Sequence, residues 1–422
     1  MTHVELAETD QFDAAISNSR RSPDLLCQSA PVTGSGSLSR IPPTAILKWL
    51  AVPHAPAPTH PDEWRSLLAQ CHGLRLLPQA ALRLTAEPEA LSAAMESELK
   101  RLRMVSFSRT ASVLRGGLRA LNALAAAGVP AAGFKGIAAI GWLQQGRAER
   151  EMADIDLLVA PEQADAALRA LTAAGFSYKV QGVPASGLRS FSRASPGSAG
   201  NEAITLCDEA GAEIDLHWKV GRVDVSQAIA EASPIRLLKG QVPIVRPAQA
   251  LLFSSLHALR NDFLPAVVLR DLLDAAGWFA LLAKDPHEQG VALRLAKSAG
   301  LEPALGAMAC ILVDLEVSGG DWVVPSPAAR SLADLFSEQS QGQNLNRDLV
   351  YLCSLRPAAQ ILRGLITTGP GYLATMRATE TAYGQEISLR GRLKHLMRAA
   401  LRTPLGRWSR LRALAAAKAP LN

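Results

Sequence analysis

The stretch Arg147–Gln163, RAEREMADIDLLVAPEQ, decides how the rest of the chain is read. Ile155, Leu157, Leu158 and Val159 bring apolar and β-branched bulk ahead of a stop at Pro161, which predicts a short buried strand over Asp154–Val159. Alternate side chains of a strand share a face, so Asp154 and Asp156 point the same way. Neighbouring carboxylates repel and raise one another's pKa unless a cation neutralises them. The pair asks for a counter-charge, and Asp156→Asn is expected to relieve repulsion in the metal-free protein.

A second acid stands in strand context in AEIDLHWKV, Ala212–Val220. Period two puts Glu213, Asp215 and His217 on one side and Ile214, Leu216 and Trp218 on the other. If this strand pairs beside the first, the carboxylates of Asp154, Asp156 and Asp215 converge. Three such aspartates can hold one or two Mg²⁺ ions, which prefer oxygen ligands and keep contacts with substrate phosphates. Two ions roughly 3.5 to 4 Å apart would stabilise both oxygens of a phosphoryl displacement. Upstream, GFKGIAAIGWL (Gly133–Leu143) reads as a strand reaching Lys135 and a helix opening at Ile137. Gly136 at that turn lets the backbone approach a phosphate, the free N–H groups of the helix start favour an anion, and Lys135 adds a point charge.

This order of motifs resembles the nucleotidyltransferase fold of the DNA polymerase β superfamily. Within it FKG, the arginine-led Arg150-x-x-x-DIDLLV and EIDLHW are similar to a family of uncharacterised nucleotidyltransferases, over roughly residues 115–285. The resemblance implies an NTP substrate, ATP among the candidates, Mg²⁺ as cofactor, and transfer of a nucleoside monophosphate to a hydroxyl with release of pyrophosphate. It implies that Asp154 and Asp156 are metal ligands and that Asp215 completes the site and activates the acceptor hydroxyl. Lys135, Gly136 and Arg150 are the implied nucleotide-binding residues, with His217 a further candidate. Two departures stand out. Gly136 is followed by Ile137 where many members carry Ser or Gly, so Lys135 is expected to substitute for the missing hydroxyl. The gap from Gly136 to Asp154 holds a full helix and the charged turn GRAERE, which places Arg150 near the carboxylates or the triphosphate.

Structural roles compete with these. The Asp154 and Asp156 pair could be a solvent-facing strand end, Arg150 could pair with Glu151 or Asp154, and His217 could be a structural hydrogen-bonding residue. His257, Arg270 and Asp271 read as ordinary helix-surface or capping residues, and Trp142 and Trp218 as core.

Around the core the 422 residues, 48% hydrophobic and 19% charged, read as a mostly helical globular chain with tails. The expected fold class, with the core that the resemblance implies, is α+β: a small mixed-sheet nucleotidyltransferase core flanked by N- and C-terminal helical regions. The expected organisation is a disordered tail over 1–42, a helical region over 43–128, the core over 129–222, a second helical region over 223–388 and a basic amphipathic tail over 389–422. Nine Lys and Arg and no acid lie from Arg390 onward, interleaved with leucines. That tail reads as a helix docked on the core, a contact for an anionic membrane surface or, less in keeping with its single aromatic residue, a nucleic-acid contact. No apolar run reaches the roughly 18 residues of a membrane span. The start has no basic flank leading into an apolar block, so a secretory signal is not expected. The cytoplasm is the expected location, with the inner membrane surface for any peripheral attachment. Five scattered cysteines offer no CxxC spacing. The acceptor is unidentified: a small molecule, a peptide or a glycan. The competing function classes are a non-catalytic nucleotide- or partner-binding module that retains the fold and a membrane-peripheral protein of glycan or peptide modification.

Overall fold

Proline fixes φ near its helical value and lacks the N–H that a first helical turn leaves unpaired, so it starts helices readily. Pro43, Pro247, Pro265, Pro286 and Pro327 are each the first residue of a helix in the computed structural model of the protein. The structure describes residues 41–52, 55, 61–85, 93–147, 149–178, 203–237, 240–317, 319–341 and 405–418. Residues 1–40 of the tail expected over 1–42, residues 389–404 of the basic tail, Cys27 and Cys353 lie outside them.

Helices α1 (Pro43–Ala51), α2 (Pro61–Gly73), α3 (Leu77–Thr85) and the long α4 (Ala93–Ala126) precede the sheet. The strands are β1 (Ala131–Phe134), β2 (Asp154–Val159), β3 (Ser177–Tyr178), β4 (Ala203–Cys207), β5 (Glu213–His217), β6 (Ser233–Leu237) and β7 (Gly240–Ile244). They form one mixed sheet in the order β3-β4-β5-β2-β1-β7-β6, with β2 parallel to β5 and antiparallel to β1. Between them lie α5 (Ala164–Ala173) and α6 (Val225–Ala230). The chain continues as α7 (Pro247–Arg260), α8 (Pro265–Leu282), α9 (Pro286–Ala299), α10 (Glu302–Asp314) and α11 (Pro327–Ser340), and α12 covers Leu405–Lys418. The architecture is α+β with helical flanks.

The two faces of the sheet are covered differently. Ile155, Leu157, Ile214 and Leu216 are fully buried. Helix α4 approaches this face so closely that a Cβ at Gly117 would collide with Ile155. On the other face Phe134 of β1 packs on Phe253 of α7, with ring centroids 4.7 Å apart. Helices α7 and α8 thus roof the face that carries the aspartates.

Three local features depart from the sequence reading. The first strand stops at Phe134, because Lys135 turns into a positive φ of 53°. The helix expected from Ile137 is an α-turn over Gly136–Ala138 that widens into a π-helical turn over Ala139–Leu143. The sheet also extends past residue 222. The β6–β7 hairpin, which no motif announced, docks through β7 alongside β1, pairing Ile244 with Gly133.

Within the basic tail α12 is docked. Leu411, Leu414, Ala415 and Ala417 are buried, Arg410 pairs with Glu338 of α11, and Lys418 lies 2.6 Å from Asp262. Among the described residues no helix is long and apolar enough to cross a membrane.

Candidate active site

The register of β2 against β5 sets Asp154 opposite Glu213, Asp156 opposite Asp215 and Leu158 opposite His217. Directly opposed residues share a face, so the period-two expectation holds across both strands. The group whose ligand atoms converge is Asp156, Asp215 and His217, all within 4.8 Å of one another. Asp154 stands outside that group, two residues from Asp156 along β2. It still feels the cluster: burial and then the charges of Asp156 and Asp215 push its carboxyl up.

Asp156 is buried and already partnered. Lys135 donates from Nζ to Asp156 Oδ1 at 2.5 Å, and His217 Nε2 lies 3.1 Å from the same oxygen. Burial works to raise the Asp156 carboxyl, but Lys135 and His217 outweigh it and hold it well below the usual carboxylate range. Repulsion relief on neutralising Asp156, anticipated from the paired acids alone, therefore does not apply: the counter-charge comes from Lys135. The lysine reaches this oxygen from a backbone conformation that L-residues rarely adopt. Thr205, opposite Asp215 on β4, donates to Asp215 Oδ1 at 2.6 Å and fixes its orientation. The Phe134 ring stands edge-on to the His217 imidazole at 5.0 Å, and the Nδ1 atom of His217 is buried without a hydrogen-bond partner.

Arg150 lies behind this cluster. Its guanidinium engages both carboxylate oxygens of Asp274 of α8: Nε donates to Oδ2 at 2.9 Å and to Oδ1 at 3.2 Å, and Nη2 lies 2.8 Å from Oδ2. Neither Glu151 nor Asp154 pairs with it; Glu151 accepts from Ser106 Oγ at 3.0 Å. Burial opposes the Arg150 charge, yet Asp274, Asp271 and Asp156 prevail and raise its pKa. Gly136 is required here by close approach, because a Cβ would sit 2.5 Å from Arg150 Nη1. Lys135 thus contacts Asp156 directly, while Gly136, next in the chain, lies against Arg150.

Sequence reading missed Asp274, Thr205 and the pair His257–Asp271, whose Nδ1 and Oδ2 are 2.8 Å apart. The only signal for the two α8 acids is their i, i+3 spacing in LRDLLDAA, which puts them on one helix face. Nothing local marks Thr205.

Two carboxylates and an imidazole, one of whose nitrogens is orphaned, form a donor set that could hold a divalent metal ion. The oxygens suit a hard cation such as Mg²⁺, and the imidazole suits Mn²⁺ or Zn²⁺ better. Residues 60–315 match the model of a protein family described as uncharacterised nucleotidyltransferase. A comparison with curated proteins found no match.

Proposed function

The chain belongs to the uncharacterised nucleotidyltransferase family, and from that premise we propose that it transfers a nucleoside monophosphate from an NTP to a hydroxyl of an acceptor, with pyrophosphate leaving. The observation that carries the reading is the side-by-side placement of Asp156 and Asp215 on paired parallel strands. A hydrophobic core strand bears such a pair only where charge is to be neutralised by a ligand or a neighbour.

Asp156 and Asp215 would hold Mg²⁺ from the converging group, and Asp154, two residues along the same strand face, would add its carboxylate from outside it; the metal when bound would neutralise the triphosphate and the oxygens that attack and leave, in the two-ion manner. Asp215, with Oδ1 held by Thr205, presents its other oxygen to orient the acceptor hydroxyl and take its proton. Lys135 neutralises Asp156 before ligand arrives and is placed to move onto a phosphate oxygen. Gly136 keeps the strand-to-helix turn thin, and Arg150, locked by Asp274, adds fixed positive charge beneath that turn. His217 orients Asp156 through Nε2.

The acceptor is a small molecule, a peptide or a glycan, and ATP is one candidate donor. The cations over residues 390–402, ahead of the docked helix α12, are the part of the tail that would meet an anionic membrane surface from the cytoplasmic side. A second reading, a nucleotide- or partner-binding module without catalysis, is favoured by one observation: the protein's own ammonium already occupies Asp156. Incubation with α-labelled NTPs, Mg²⁺ and cell extract separates them. Label in a product, lost in Asp215→Asn, supports transfer. Label bound but never transferred supports the binding module and overturns the catalytic reading.

A further inference from the structure

Helix α8 turns Arg270, Asp271 and Asp274 towards the roofed face of the sheet. The i, i+4 spacing of Arg270 and Asp274 sets them one above the other on the helix. Asp274 is consumed by Arg150, whose guanidinium abuts Gly136 beside Lys135 and the carboxylate cluster. Asp271 is consumed by His257. Both acids of this face are therefore engaged elsewhere, and among the described residues no hydrogen bond or ion pair holds the half-buried Arg270.

We propose that Arg270 is a phosphate-binding residue that takes the terminal phosphates of the NTP, the part that leaves as pyrophosphate. This rests on the nucleotidyltransferase reading and deepens it, assigning recognition of the triphosphate to the helical roof. Arg270 lies mid-helix, so it caps nothing. Its charge reaches Asp154, lowering that carboxyl against the pull of burial. Burial and the nearby Arg150 guanidinium weaken its own hold on a proton, Asp271 and Asp274 restore only part of it, and Arg75 adds further repulsion. A desolvated guanidinium in such surroundings is unfavourable in the empty protein and gains most from a dianionic or trianionic ligand. The planar fork of Arg suits bidentate contact with phosphate oxygens, which a lysine cannot reproduce. A triphosphate laid against Asp154 and Asp156 from the Gly136 turn has in this cation a positive group that, among the described residues, no hydrogen bond or ion pair engages.

Binding of Mg²⁺ with an NTP, with inorganic tripolyphosphate and with the matching nucleoside monophosphate tests the assignment, using the full chain, Arg270→Gln and Arg270→Lys. The expected result is a loss of about tenfold or more in NTP and tripolyphosphate affinity in R270Q, the scale of a lost charge-assisted contact, with a smaller loss in R270K. Monophosphate affinity is expected to stay unchanged. The ligand-free R270Q protein is expected to melt no lower than wild type, because it loses a repelled cation and no hydrogen bond. A clear drop in its melting temperature with unchanged tripolyphosphate affinity makes Arg270 structural and overturns the inference. Equal NTP binding by wild type and R270Q overturns it as well, leaving the nucleotidyltransferase reading intact. A wild-type chain that binds neither NTP nor tripolyphosphate overturns both.

Discussion

The ammonium of Lys135 lies 2.5 Å from Oδ1 of Asp156, so the acid cluster carries its own cation. Lys135 follows the last residue of β1, and Phe134 is the register partner of Asp156 on β2. The short step from β1 through a positive-φ residue brings the ammonium onto the buried carboxylate.

Asp156→Asn is expected to destabilise the metal-free protein by about 2 kcal/mol, since it breaks buried contacts to Lys135 and His217. The folded pKa of Asp156 is depressed below its unfolded value of about 3.9. Its contribution is therefore present above that unfolded value and is lost as pH falls towards the folded one. Thermal melts in chelator between neutral pH and pH 3 check this. A variant that melts with the wild type at neutral pH would disprove the partnered state.

Asp154→Asn has the opposite sign. The Asp154 carboxyl is raised by burial and by its acidic neighbours, so its ionised form weakens the folded state at neutral pH. Any stability it contributes is present at low pH and lost as pH rises through its folded pKa. The variant is expected to melt at or slightly above wild type in chelator, by up to about 1 kcal/mol, while Mg²⁺-dependent NTP binding falls. Isothermal titration beside the melts reads both effects. Weaker folding with full NTP binding would count against it.

Asp274→Asn leaves the Arg150 guanidinium buried without its bidentate partner and should lower stability by about 3 to 5 kcal/mol. The joint change Arg150→Met with Asp274→Leu is expected to recover most of that. Gly136→Ala forces a methyl 2.5 Å from Arg150 Nη1 and should cost about 1 to 3 kcal/mol, because Asp274 prevents the guanidinium from moving aside. Denaturant unfolding of the set measures all three. Equal losses for the single and joint changes would refute the pairing.

Deleting residues 405–422 removes Leu411 and Leu414 from the interface with α11 and should lower the melting temperature, each buried leucine being worth about 1.5 to 3 kcal/mol. The truncated chain should also lose its dependence on the Arg410 contact with Glu338. An unchanged melt would show that α12 is not docked in solution and would return the tail to the membrane-contact reading.

The β2 strand, the β5 strand and the shared facing of Asp154 with Asp156 and of Asp215 with His217 were legible in the sequence. Each depends on local stereochemistry: β-branched bulk, a proline stop, and the two-residue repeat of a strand. The acids were visible for the same reason, because a charge between apolar neighbours breaks the pattern a core strand otherwise keeps.

What only the tertiary structure decided is who partners whom. Arg150 chose Asp274, 124 residues away, over Glu151 beside it. His217 rather than Asp154 joined Asp156 and Asp215. The β6–β7 hairpin entered the sheet beside β1, and α12 settled on α11. A charged side chain has several suitable partners in the sequence, and their spacing says nothing of distance once strands pair and helices pack. Burial makes the choice, since a charge taken out of water must take the partner that packing places within a few ångströms.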